Sequence, residues 1–409
     1  MIGAPAINIA RLQADLDALS GFREPDLPGW TRRVFSEPYV RSREWVASTM
    51  RDAGLDVRRD PAGNLVGTLD GGAPALVTGS HTDSVASGGR FDGPLGVLGA
   101  IEVARSLRDS GHHLKHALRV VDFVGEEPND FGISCVGSRA VTRSLTHEHL
   151  ALRNPSGRTL AEALASIGGD ANRIEEAVWP ASDVLAFVEL HIEQGPVLEQ
   201  KQIQIGIVTG IAGIERLHFT FEGQPGHAGT TPMSSRHDAL CAAAEAILAI
   251  EQLAAGSEGV ATAGRIEALP GALNVIPGTV DLWAEFRHID AAWLDASYKD
   301  LAEMLETIGA RRGVKIATTI LSRSDPVPTS VEVRAAMAGA VRDLGLTSIS
   351  LPSGAGHDAA HMARLGPMGM LFVPSVGGLS HRPDESTSPE DLEAGVKALL
   401  ATLLELDQR

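Results

Sequence analysis

Four stretches of this chain offer a histidine or a carboxylate where an apolar run gives way to a loop. The first is Gly79-Ser80-His81-Thr82-Asp83, followed eleven residues after His81 by Asp92 in Gly89-Arg90-Phe91-Asp92-Gly93. The second is Glu126-Glu127, after the run Ala117 to Val124; the third is His191-Ile192-Glu193-Gln194-Gly195-Pro196, after Val184 to Leu190; the fourth is Ser380-His381, after Met370 to Val373 and a glycine turn. A single His and Asp are more often a satisfied pair than metal ligands, but recurrence at four strand ends is far more specific. Two divalent ions about 3.5–4 Å apart can share a bridging carboxylate and activate a water at neutral pH. Asp92 suits the bridge, because glycines on both sides of its turn leave both oxygens free to face outward. Asp83, two residues past His81, suits a group that fixes the imidazole tautomer. Glu126 and Glu127 are consecutive, so their side chains diverge; one can bind metal while the other takes the proton from water.

These residues need a scaffold that brings strand ends together. Ala75 to Thr78 reads as a buried strand, and Leu95, Leu98, Ile101, Val103 and Leu107 recur at helical spacing behind the glycine-rich loop. The alternation from Asp60 to Val124 predicts an α/β domain, a mostly parallel sheet covered by helices, and in such sheets ligands bind at the carboxyl ends of the strands. The segment up to about Arg59 reads as mostly helical, and Val141 to Trp179 as helical cover, with His147 and His149 on the surface. From Glu215 the order strand, helix, strand, strand, helix, strand runs to Leu321, the β-α-β-β-α-β pattern of a small sandwich. The expected division is therefore a domain of residues 1–212 and 326–409 with a second domain, 213–325, inserted in it. Ser388-Pro389-Glu390-Asp391 opens a final helix.

Composition sets limits on partners. At 409 residues the chain exceeds one core. Its formal charge of -17 argues against nucleic acid and anionic membranes. Cys135 and Cys241 give no disulfide framework, as expected of a cytoplasmic protein. The first twenty residues read as an amphipathic helix rather than a signal peptide, and no run is apolar enough to span a membrane.

Together with Gly226-His227-Ala228-Gly229-Thr230-Thr231-Pro232-Met233, these motifs resemble the dinuclear amidohydrolases of the hydantoinase/carbamoylase type within the M20-like metallopeptidases. That group includes N-carbamoyl-L-amino acid hydrolases, allantoate amidohydrolases and yeast-type β-ureidopropionases. Carried over residue by residue, the resemblance implies two divalent ions per subunit, one held by His81, Asp92 and His191, the other by Asp92, Glu127 and His381. Zinc is the expected ion, and the same donors suit manganese, cobalt or nickel. Glu126 becomes the general acid/base. The inserted domain becomes a lid and the contact of a homodimer, with His227 reaching the partner's site to stabilise an oxyanion. Asn274 and Arg287 would hold a substrate carboxylate, and Gln194 and the Gly354-Ala355-Gly356-His357 loop would complete the pocket. Plainer roles stand beside these: an exposed loop residue for His227, a structural ion pair for Arg287, turn chemistry for Asn274. The implied activity is hydrolysis of a carbamoyl or amide C–N bond in a small carboxylated substrate, an N-carbamoyl-L-amino acid first and allantoate second. A peptidase, or a binding protein that has lost the chemistry, are the alternatives.

Overall fold

The computed structural model describes residues 5–70 and 72–408. The chain divides into two compact units, one running to Thr209 and resuming at Thr329, the other spanning Gly210–Pro328. These limits lie three residues outside the 213–325 read from sequence.

In the first unit the strands are β1 (Asp56–Arg59), β2 (Leu65–Leu69), β3 (Ala75–His81), β4 (Ala117–Phe123), β5 (Val184–Ile192) and β6 (Ile205–Ile211). The second unit contributes β7 (Gly213–Glu222), β8 (Gly226–His227), β9 (Val260–Leu269), β10 (Val275–Ile276), β11 (Thr279–His288) and β12 (Lys315–Ser324). The second unit ends with β13 (Val327–Pro328), and on its return the chain forms β14 (Ser348–Ser353) and β15 (Met368–Val373). The larger sheet has the order β1-β2-β4-β3-β5-β15-β6-β13. At its centre β4, β3, β5 and β15 run parallel. At its edges β1, β2 and β6 pair antiparallel. Parallel strands lie buried on both faces and read as continuous apolar runs, which is why β3 is buried along its whole length. Gly79 is required within it, since a Cβ there would meet the Val121 carbonyl oxygen at 2.0 Å.

One face is covered by helices Ile9–Ser20, Pro94–Ser110 and Pro389–Asp407, whose Leu12, Leu16, Leu98, Ile101, Leu399 and Leu403 share a core with Val188 and Leu371 of the sheet. Helix Pro94–Ser110 starts with Pro at its first turn after Gly93 and stops at Gly111, which adopts a left-handed φ of 69°. The last helix is capped as expected, Ser388 accepting from the Asp391 N–H. The expected helical cover of Val141 to Trp179 is broken into short pieces. Capping boxes at Thr146/His149 and Thr159/Glu162 start helices of one turn or so, and a 3-10 stretch, Ala171–Ala177, follows.

The second unit has the sheet order β12-β7-β11-β9, antiparallel throughout. Helices Ala239–Ala254 and Ala291–Arg312 pack on one face through Ala242, Ala246, Leu294 and Leu301 against Leu217, Phe219 and Leu282. Its central strands β7 and β11 alternate buried and accessible residues because only that face is covered. No described helix is long and apolar enough to cross a membrane.

Candidate metal centre

The four parallel strands lie side by side in the order β4-β3-β5-β15, so their carboxyl ends form one edge of the sheet. His81 is the last residue of β3, and His191 lies at the end of β5. Glu126 and Glu127 follow β4 through Gly125, which turns with a φ of 60°. His381, beyond β15, itself holds a φ of 56°. Side chains from positions 81 to 381 thus meet above one sheet edge.

Asp92 stands at the middle. Its Oδ1 lies 3.2 Å from His191 Nε2 and 3.7 Å from His81 Nε2, and its Oδ2 lies 3.1 Å from His381 Nε2. His381 Nε2 is also 3.3 Å from Glu127 Oε1. The donor sets His81, Asp92, His191 and Asp92, Glu127, His381 are each compact enough to surround one cation, with Asp92 shared. Glu126 belongs to neither set, though its Oε2 lies 3.6 Å from His81 Nε2; its Oε1 lies 3.7 Å from the Cys135 thiol. The twin acids diverge, as consecutive residues must.

The imidazoles are aimed by their other nitrogens. His81 Nδ1 donates to the Asp83 carbonyl oxygen at 3.0 Å and His191 Nδ1 to the Ile192 carbonyl oxygen at 2.9 Å, which leaves Nε2 of each with a lone pair facing Asp92. It is the backbone of Asp83, not its carboxylate, that fixes the His81 tautomer. The carboxylate instead accepts the N–H groups of Glu126 and Glu127, at 3.3 and 3.2 Å. His191 Nε2 is buried and makes no hydrogen bond. A buried imidazole nitrogen without a partner, in a ring of carboxylates and imidazoles, is a donor set that fits a divalent cation. A third grouping, Glu189, His191 and His357, is equally compact. Its atoms are already engaged: Glu189 accepts from the Ser80 hydroxyl and the Ala359 N–H, and His357 Nε2 bonds the Ser353 hydroxyl.

The electrostatics follow from burial and crowding. Burial pushes the Glu126 carboxyl well up, the nearby His81 opposing and Glu127 reinforcing it. Burial also disfavours ionisation of Asp92, yet the imidazoles of His191 and His381, when they carry a proton on Nε2, outweigh it and hold that carboxyl well below its usual range. Hydrogen bonds to Asp92 and Glu127 push His381 up to about 11. A dication at such a place replaces the proton.

Gln194 joins this cluster, its Nε2 donating to Asp92 Oδ2 at 2.7 Å. Gly356 lies in the same unit, beside His357, whose ring packs edge-on against His191 at 4.7 Å between centroids. A cavity of about 360 Å³ opens next to Glu127 and Asp83, lined also by Arg33, Phe35, Phe131 and Arg158. His227, Asn274 and Arg287 belong to the second unit. His227 on β8 pairs with Val275 of β10, and the adjoining Ala228 N–H donates to the Asn274 carbonyl oxygen at 3.0 Å, so these two positions are neighbours. Arg287, near the end of β11, pairs with Glu285 at 2.7 Å. The sequence reading missed Glu385, buried beside Asp92 and His381; its four-residue spacing from His381 was the only signal available.

The chain belongs to the peptidase family M20/M25/M40, whose profile matches residues 77–405. Within it, the N-carbamoyl-L-amino acid amidohydrolase of Geobacillus stearothermophilus is 42% identical over 384 residues, 93% of this chain and 94% of its own length. The ureidoglycolate hydrolase of Arabidopsis thaliana is 40% identical over 414 residues, covering 98% of this chain and 87% of that protein. The crystal structure of an amidase of the hydantoinase/carbamoylase family from Burkholderia multivorans matches with a TM-score of 0.92 at 34% identity, over 100% of both chains.

Proposed function

We propose that this protein hydrolyses a linear carbamoyl or amide C–N bond in a small carboxylated substrate, an N-carbamoyl-L-amino acid in the first place, releasing amino acid, carbon dioxide and ammonia. The observation that carries the reading is the Asp92 carboxylate, whose two oxygens face separate sets of imidazoles. His81, Asp92 and His191 would hold one divalent ion and Asp92, Glu127 and His381 the other. Such a pair polarises a carbonyl oxygen and acidifies water. Glu126, outside both sets, takes the proton from the attacking water and returns it to the departing nitrogen. Its burial favours holding that proton between the two steps.

The second unit would serve as lid and as the contact of a cytoplasmic homodimer. His227 of one protomer would steady the oxyanion in its partner's site, while Asn274 and Arg287 grip the substrate carboxylate and Gln194 and Gly356 close the pocket. The similarity to a ureidoglycolate hydrolase supports a second reading, in which the ureido acid is ureidoglycolate; allantoate is a third substrate of the same chemistry. Ammonia release from N-carbamoyl amino acids, allantoate, ureidoglycolate and dipeptides, with and without a chelator, tests all of these. Turnover of ureido acids that stops when the metal is removed is expected. Activity that survives complete metal removal, or is confined to dipeptides, refutes the proposal.

A further inference from the structure

The loops carrying Asp92 and His381 come from opposite ends of the chain, and one buried carboxylate joins them. Glu385 is 3% exposed. Its Oε1 accepts the N–H groups of Phe91, at 2.9 Å, and of Asp92, at 3.1 Å. Its Oε2 accepts the Ser380 hydroxyl at 3.0 Å, and that hydroxyl also lies 2.9 Å from Asp92 Oδ2. Glu385 thus touches the backbone of the shared carboxylate and the residue next to His381. The fold makes room for it: a Cβ on Gly89 would sit 2.1 Å from the Glu385 carboxyl carbon. Two further contacts hold the same loops from the amino-terminal side, with the Trp30 N–H donating to the Gly88 carbonyl oxygen at 3.1 Å and its indole N–H to that of Pro383 at 3.2 Å.

We propose that Glu385 is a positioning residue that locks the Asp92 loop to the His381 loop, so that both cation seats form together and are lost together. The inference rests on the two-metal reading above. Without a side chain at 385, two amide donors of the Asp92 loop lose their acceptor, and Asp92 and His381 are free to move apart. Since Asp92 belongs to both donor sets, neither seat survives intact. Partners of this kind, which orient ligands without touching metal, typically change metal affinity by about 10–100-fold. Oxygen geometry rather than charge is what the amides need, so Glu385→Gln should retain much of the function that Glu385→Ala loses.

The test is metal content, measured by mass spectrometry on full-length protein dialysed against zinc buffers of graded free concentration. Wild type is expected to hold two ions per chain. Glu385→Ala should require about 10–100-fold more free zinc for half occupancy, with both ions lost in one step. Excess zinc should restore kcat with KM unchanged, which a merely structural defect would not allow. Gly89→Ala replaces no ligand and keeps the Glu385 side chain but pushes its carboxylate aside, so it should shift occupancy in the same direction, which keeps the proposal testable if Glu385→Ala does not fold. Wild-type occupancy in Glu385→Ala, or in Gly89→Ala when the former is insoluble, overturns the positioning role alone. Loss of one ion with the other retained overturns the coupling. A wild-type chain that binds no metal takes down the two-metal reading and this inference with it.

Discussion

Gly93 allows the proposed metal centre to be probed without replacing a ligand. It sits between Asp92 and the helix Pro94–Ser110 with φ 83° and ψ -57°, a conformation that side chains rarely adopt. A Cβ built there would lie 2.4 Å from His81 Cε1 and 2.6 Å from both ring nitrogens. Ordinary van der Waals contact begins about 1 Å further out, so in Gly93→Ala either the His81 ring or the Asp92 turn must shift by roughly that amount. The backbone penalty alone is about 1–3 kcal/mol. A displacement of about 1 Å at a ligand should weaken metal binding by about 10–100-fold, as loss of an orienting contact does. Gly111, at the other end of the same helix, isolates the backbone term: it has φ 69°, and nothing lies within 4 Å of a Cβ built on it. Gly111→Ala should therefore lower stability by about 1–2 kcal/mol and leave metal affinity unchanged. Urea denaturation in chelator measures the first quantity, and zinc titration of the folded proteins measures the second. Equal zinc affinity in the two variants would refute the packing of Gly93 against His81 as the cause.

Glu126→Gln should keep both ions, since its carboxylate lies outside the donor sets, and lower kcat by about 10²–10⁴-fold; full activity would mean that the base is another group. Arg43 is 1% exposed and pairs at 2.9 Å with Asp122, itself buried beneath Thr82, so Arg43→Ala strands that carboxylate and should cost about 3–5 kcal/mol in urea denaturation; a loss below about 1 kcal/mol would refute the pairing as structural. Burial, reinforced by Arg139 and Arg364, pushes the largely buried His361 imidazole down to about 3. Its folded value lies below the unfolded one, so stability is complete above about pH 6.5 and falls as pH drops towards 3. Between about pH 7.5 and pH 5 this amounts to about 2 kcal/mol, which His361→Asn should abolish. Parallel pH dependence of the urea midpoints, with chelator throughout, would exclude His361 as its source.

The sequence was most legible where local pattern and burial coincide. The central strands of the larger sheet are apolar runs because they are buried, and β7 and β11 of the second unit alternate because one face is covered. The donor residues stood out because each follows such a run. The antiparallel edge was not legible, since β1 and β2 are short and partly exposed and borrow their order from β4. The stretch from Val141 to Trp179 was misread for a related reason. Its helix-favouring composition is interrupted by caps and by Pro155, Gly157 and Gly168, which stop each helix after about a turn. Glu385 was hidden because its partners, at positions 91 and 92, lie almost three hundred residues away and are backbone amides, which carry no signature in a sequence.

The buried acids around the site explain one another. Asp122 has Arg43, Asp83 has the amides of Glu126 and Glu127, Glu189 has Ser80 and Ala359, and Glu385 has the amides of Phe91 and Asp92. Each of these outer carboxylates is satisfied by the protein and in turn fixes the backbone of a neighbour that faces inward. Asp92 and Glu127 instead turn their oxygens toward imidazole nitrogens. Burying such charge is costly unless it is matched by opposite charge, and the two dications proposed for the site would match it where protonated imidazoles would do so only in part. The outer ring thus supplies rigidity and the inner ring unmet charge, which is the division of labour that a preformed cation site requires.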